Sequence, residues 1–170
     1  MTSHIATVAA IAVVLSPAAG LAQPAGCDSP ESHQFDFWVG RWTVSPFAQP
    51  DRHVADSLIE KLYAGCAVRE NWSPLKGGGG GSLSSYVASD KAWRQTWVDS
   101  AGSRADFKGG WTGTALVLTG VWPQPGHPDQ LTRMTYTPQP GGAVRQSGET
   151  SDDGGKTWSP SFDFLYRKAP

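Results

Sequence analysis

Charge of either sign is missing from the first 22 residues: Met1–Ala22 contains no Lys, Arg, Asp or Glu, and all 14 basic and 15 acidic side chains fall beyond it. Neither sign is in excess over the whole chain, whose net charge is −1. Without clustered cations to displace counterions from phosphates, nucleic acid is not expected as a partner. No apolar run reaches the ~20 residues of a membrane-spanning helix. The longest, Ile5–Leu15, ends after 11 residues, and Pro17 follows closely. Cysteine is scarce, with only Cys27 and Cys66. Together with the scattered His33, His53 and His127 they offer no metal-ligand spacing, so neither metal nor cofactor is expected. The five glycines Gly77–Gly81 are not followed by Gly-Lys-Ser/Thr, which excludes a phosphate-binding loop and leaves a flexible connection or lid. Coiled-coil heptads and internal repeats are also missing.

What is present first gives an address. Ile5–Leu15, followed by small residues up to Gly20-Leu21-Ala22, reads as a signal peptide over residues 1–22. An N-terminal arm, 23–34, and one domain, 35–170, follow. The product is expected to be exported, periplasmic or secreted, and monomeric, with no stable membrane span after signal removal. Lipoprotein anchoring is the alternative, because Cys27 follows Ala25-Gly26, although Pro24 stands where that signal prefers Leu. An even cysteine count in an exported chain favours a Cys27–Cys66 disulfide over two unrelated thiols.

Beyond the signal, turn-forming residues recur at short intervals between runs rich in Val, Leu, Thr, Trp and Tyr. That rhythm predicts ten strands: 41–44, 56–63, 67–72, 83–89, 93–99, 104–109, 114–121, 130–137, 143–150 and 158–167. Ten short strands and no long helix suggest an all-β fold, a single antiparallel barrel closed so that no sheet edge is exposed. One segment is ambiguous. Val54, Leu58, Ile59, Leu62 and Tyr63 also fall near helical spacing, and periodicity alone does not choose between helix and strand for 54–63.

Phe35-Asp36-Phe37-Trp38-Val39-Gly40-Arg41-Trp42 resembles the opening of an uncharacterised family of exported bacterial proteins, a domain-of-unknown-function family. The stretches Gly65–Trp72, Trp93–Asp99 and Val144–Gln146, and the run Ser151–Trp158, are similar to it as well. This resemblance covers the whole mature chain, implies little about function, and favours a hairpin through 56–72. More remotely, the aromatic turn followed by Gly-x-Trp is similar to the start of calycin barrels: lipocalins, fatty-acid-binding proteins and nitrobindin-like barrels. It implies a short N-terminal turn before the first strand and a Trp42–Arg167 cation–π contact that closes the barrel.

Ser151-Asp152-Asp153-Gly154-Gly155-Lys156-Thr157-Trp158 matches an Asp-box. One copy in a short chain excludes a sialidase-type propeller, and the motif reads as a self-satisfied hairpin turn.

Candidate site residues come from strand alternation, since every second side chain of a barrel points inward. Trp93, Gln95 and Trp97 share one face, and so do Val68, Glu70 and Trp72; Arg133 lies between Leu131 and Thr135, and Gln146 between Val144 and Gly148. If these phases face inward, Glu70, Gln95, Arg133 and Gln146 sit among indoles, and Glu70 and Arg133 must pair with each other or with a ligand. With the phases reversed, the same polar groups are solvated. The inward reading gives a small-molecule binder for an apolar or aromatic ligand held by Glu70, Trp72, Trp93, Gln95, Trp97, Arg133 and Gln146. No catalytic triad assembles from the sequence. A cofactor-independent cyclase, isomerase or hydrolase using Glu70 as acid or base is the enzymatic alternative, and an envelope interaction protein with a filled barrel is the third.

Overall fold

The computed structural model describes residues 27–123 and 130–170; the expected signal peptide and His127 lie outside the described residues. Ten strands form one closed antiparallel barrel: β1 Gly40–Pro46, β2 Ala55–Leu62, β3 Ala67–Pro74, β4 Gly80–Val87, β5 Ala92–Asp99, β6 Arg104–Trp111, β7 Leu116–Trp122, β8 Gln130–Pro138, β9 Val144–Ser151 and β10 Ser159–Lys168. Each strand pairs with its sequence neighbours, and β1 pairs with β10 to close the wall, Val44 opposite Tyr166. Closure leaves no edge for pairing with another chain. The ambiguous segment is strand β2, with Ala55, Ser57 and Ile59 buried. Tyr63 does not extend it, because it takes a left-handed φ of 52° in the turn that leads to β3.

Two short 3₁₀ turns, Pro30–His33 and Asp36–Trp38, precede β1. They carry Phe35 and Trp38 into one end of the barrel, where both are fully buried. The Phe35 ring stacks on Trp38 at 4.8 Å and meets Trp93 and Tyr136 edge-on at 5.6 and 4.9 Å. Ile59, Val68, Leu116 and Leu118 complete this plug. The disulfide Cys27–Cys66 is present and pins the arm to the β2–β3 turn. With both sulfurs joined, Cys27 has no thiol to carry a lipid.

The Gly-x-Trp opening has a steric reason. Gly40 has φ +147°, and a Cβ there would lie 2.3 Å from Lys168 Nζ. The space lets the exposed Lys168 fold back, donate to the Val39 carbonyl at 2.7 Å and sit 3.8 Å over the Trp42 ring. The cation over Trp42 is therefore Lys168 and not Arg167. Lys168 shares the pleat phase of buried Tyr166, whereas Arg167 is on the opposite phase and exposed. Two of the five glycines read as a loose connection are in fact strand residues: Gly80 and Gly81 pair with β3 and β5. A Cβ at Gly80 would meet the Trp97 ring at 2.5 Å.

The Asp-box is the β9–β10 hairpin. Ser151 Oγ accepts from the Gly155 amide at 2.8 Å, and Asp153 accepts from the Lys156 and Thr157 amides, both at 2.9 Å. The Thr157 hydroxyl, the Thr157 amide, the Ser151 hydroxyl and the Lys156 amide, all donating to Asp153, hold its carboxyl well below the usual range.

Candidate ligand site

The plug fills one end of the interior. Above it lies a cavity of about 300 Å³, lined by Glu70, Trp72, Gln95, Trp97, Trp122, Met134, Tyr136, Gln146, Phe162, Phe164 and Tyr166. Strand alternation aims these side chains inward. Trp72 stands two residues from Glu70 on β3, Trp97 two from Gln95 on β5, and Phe162, Phe164 and Tyr166 alternate along β10. The rings form a rim: Trp97 and Trp122 lie 6.0 Å apart, and Trp72 is 5.4 Å from Phe164 and 6.2 Å from Tyr166. Gly148 on β9 gives the wall its shape. It is buried opposite Phe162, and a Cβ there would be 2.2 Å from that ring. A bulge between Pro160 and Phe162 resets the register so that the ring lies over the glycine.

The floor is a hydrogen-bond chain that runs in one direction. Tyr166 donates to Gln146 Oε1 at 2.6 Å, Gln146 Nε2 to the Tyr136 hydroxyl oxygen at 3.1 Å, Tyr136 to Gln95 Oε1 at 3.4 Å, and Gln95 Nε2 to Ser84 Oγ at 2.9 Å. Glu70 stands at its head. Ser57 and Ser82 each donate to one of its carboxyl oxygens at 3.2 Å, and the Tyr166 oxygen lies 3.5 Å away. Tyr166 spends its one proton on Gln146, so a protonated Glu70 can donate to Tyr166 and join the chain.

Glu70 is 5% exposed, and among the described residues no cation pairs with it. Desolvation pushes its carboxyl up to about 7, against the pull of the Ser82 and Ser57 hydrogen bonds. Burial and the neighbouring Glu70 raise the Tyr136 and Tyr166 phenols above their ordinary range, so both stay neutral.

Of the seven residues singled out from sequence, five line this cavity: Glu70, Trp72, Gln95, Trp97 and Gln146. Trp93 points inward but belongs to the plug, packed on Phe35 and donating to Gln34 Oε1 at 3.2 Å. Arg133 is a correction. The inward residues of β8 are Thr132, Met134 and Tyr136, so Arg133 faces outward, paired with Glu149 at 2.7 Å and lying 4.1 Å over the Trp158 ring. Met134 and Tyr136 bring more apolar area to the interior than Leu131 and Thr135 would, and Glu149 directly opposite on β9 meets the arginine's charge outside. The expected Glu70–Arg133 pair therefore does not form. His33 and His53 lie outside the cavity beside Asp36 and Asp56. The sequence reading missed Trp122, Met134, Tyr136, Phe162, Phe164 and Tyr166. Phe-x-Phe-x-Tyr in β10 and Met-x-Tyr in β8 carry the period-2 signal that could have found most of them.

Fold and site define an antiparallel barrel with one end plugged and an aromatic cavity at the other. No protein-family model matches the sequence, and no curated protein matches it.

Proposed function

We propose that this chain is an exported, monomeric binding protein that holds one small, mainly apolar or aromatic molecule in the cavity. The cavity itself carries the reading, since an apolar pocket with a few convergent polar groups is the usual form of a small-molecule site, and pockets start near 300 Å³. Indole walls supply contact area at modest conformational cost, and the Glu70–Gln146 floor orients one end of the ligand. The unfilled cavity weighs against a purely structural barrel. Export rests on the leader-like residues 1–22 and on the disulfide, which persists in oxidising compartments. The antiparallel closure and the short aromatic turn before β1 suit the calycin-like resemblance and the exported family whose opening this one resembles.

Quenching of tryptophan fluorescence by a panel of small hydrophobic metabolites tests this. Trp97→Ala should weaken any binding found by about tenfold or more, as removal of a central aromatic anchor does. Arg133→Ala, on the outer wall, should leave it unchanged. The opposite pattern would place the site elsewhere.

The unpaired Glu70 favours one second reading, a cofactor-independent acid–base enzyme. A carboxyl near 7 is poised both to give and to accept a proton. Turnover that vanishes in Glu70→Gln while binding persists would establish it, and equal turnover would remove Glu70 as the catalyst.

A further inference from the structure

The geometry points to an organic monocation as the ligand class of this cavity: a primary or methylated amine on an apolar or aromatic body, its ammonium against Glu70 and its body among Trp72, Trp97, Trp122 and Phe164. This rests on the binding reading above and deepens it.

Three observations converge. Among the described residues Glu70 is the one carboxyl lining the cavity, and no described Lys, Arg or His lines it with Glu70. The described cations that pair with carboxylates do so elsewhere, Arg133 with Glu149 and Arg145 with Asp163 among them. A buried carboxylate lacking a counter-ion is costly, and a cationic ligand supplies that counter-ion. An anionic ligand such as a carboxylate would instead place two acids side by side.

The donor inventory gives the same answer. Tyr166, Gln146, Tyr136 and Gln95 pass their protons along the floor, Gln146 Nε2 also reaching Met134 Sδ at 3.9 Å and Gln95 Nε2 the Tyr136 oxygen at 3.4 Å. Ser57 and Ser82 give theirs to Glu70. The tyrosine, glutamine, Ser57 and Ser82 donors of the floor are thus spent, and what these groups offer a ligand is acceptor capacity, greatest at Glu70. An ammonium carries donors and no acceptor.

The walls are the third observation. Ring faces attract cations through their quadrupole, and aromatic cages with a nearby acid are how methylated amines are held. A volume of about 300 Å³ equals roughly ten waters at ~30 Å³ each, which suits one ring on a short amine tail.

Binding of such a cation requires the ionised carboxylate. The groups facing Glu70 are Ser57 from β2, Ser82 from β4, Gln95 from β5, Tyr136 from β8, Gln146 from β9 and Tyr166 from β10. Only the two phenols among them can titrate, and both stay neutral, so among the described residues Glu70 alone sets the pH dependence.

The test is calorimetric titration of the folded, disulfide-bonded protein with 2-phenylethylamine, its neutral analogue 2-phenylethanol and the anion 3-phenylpropanoate. At about pH 8, where Glu70 is ionised, the amine should bind at least about tenfold tighter than the alcohol, and the anion should bind worst. Amine affinity should fall about tenfold per pH unit below the Glu70 midpoint, with one proton released per amine bound, while alcohol affinity holds. Glu70→Gln should abolish the amine's advantage and keep the alcohol. Alcohol matching amine, or the anion binding best, overturns the cation assignment but leaves the cavity as a binding site. No binding of any of the three overturns both. If Glu70→Gln fails to fold, the pH slope of the unmodified protein decides.

Discussion

Glu70→Gln is expected to remove a loss of stability that the unmodified protein suffers as pH rises from about 4.5 to about 7. An unfolded chain releases the Glu70 proton near the ordinary value of 4.5, whereas the folded barrel keeps it up to about 7. Within that window the folded state binds the extra proton, so raising the pH favours unfolding. The stabilisation is fully present below about 4.5 and is lost through about 7. The gap corresponds to roughly 3 kcal/mol at 1.36 kcal/mol per unit, or a melting shift on the order of 10 °C for a chain of this size. Thermal melts of both proteins across this range should diverge by that amount, since the amide cannot ionise and every other titrating group cancels in the difference. Melting curves that run parallel with pH would mean that Glu70 is solvated or paired.

Cutting the Cys27–Cys66 bridge carries the other large effect. The two cysteines are 39 residues apart in sequence, and closing a loop of that size restricts the unfolded chain by about 4 kcal/mol. The bridge also holds the segment that delivers Phe35 and Trp38 into the closed end. The paired substitution Cys27→Ser, Cys66→Ser, or reduction with dithiothreitol, should lower the melting temperature on the order of 10 °C. Because the freed arm hydrates the buried indoles Trp38 and Trp93, tryptophan emission should move to the red on heating earlier than in the bridged protein. An unchanged melting temperature would show that plug packing alone secures the arm.

Strand positions were legible because turn-forming residues punctuate them. Eight of the ten predicted strands start within one residue of those observed, from Arg41 against Gly40 in β1 to Trp158 against Ser159 in β10. Phase was harder to read, and the reason is the polar floor. Ser57, Ser82, Ser84, Glu70, Gln95 and Gln146 are buried while Leu83, Val98 and Val121 are exposed, so the usual apolar-in, polar-out alternation is scrambled where the site lies. That scrambling left β2 balanced between helix and strand, because Ser57 faces in and Leu58 faces outward. It also misplaced Arg133, whose strand alternates Thr with larger residues on both faces. The clearer signal lay in β10, where Phe162, Phe164 and Tyr166 recur at every second position, and a sequence search led by tryptophan passed over it. The cation over Trp42 follows from the same alternation, which runs on through Tyr166 to Lys168 and leaves Arg167 on the other face.

The division of the barrel into a plugged end and a binding end is tested most directly by the indole N–H signals of the eight tryptophans in a proton–nitrogen correlation spectrum, recorded while 2-phenylethylamine is added. Trp72, Trp97 and Trp122 line the cavity, Trp38, Trp42, Trp93 and Trp111 belong to the closed end, and Trp158 lies outside under Arg133. The first three signals should shift together and saturate at one ligand per chain while the other five stay in place. Shifts confined to Trp158 or to the closed-end indoles would contradict the cavity as the site of function.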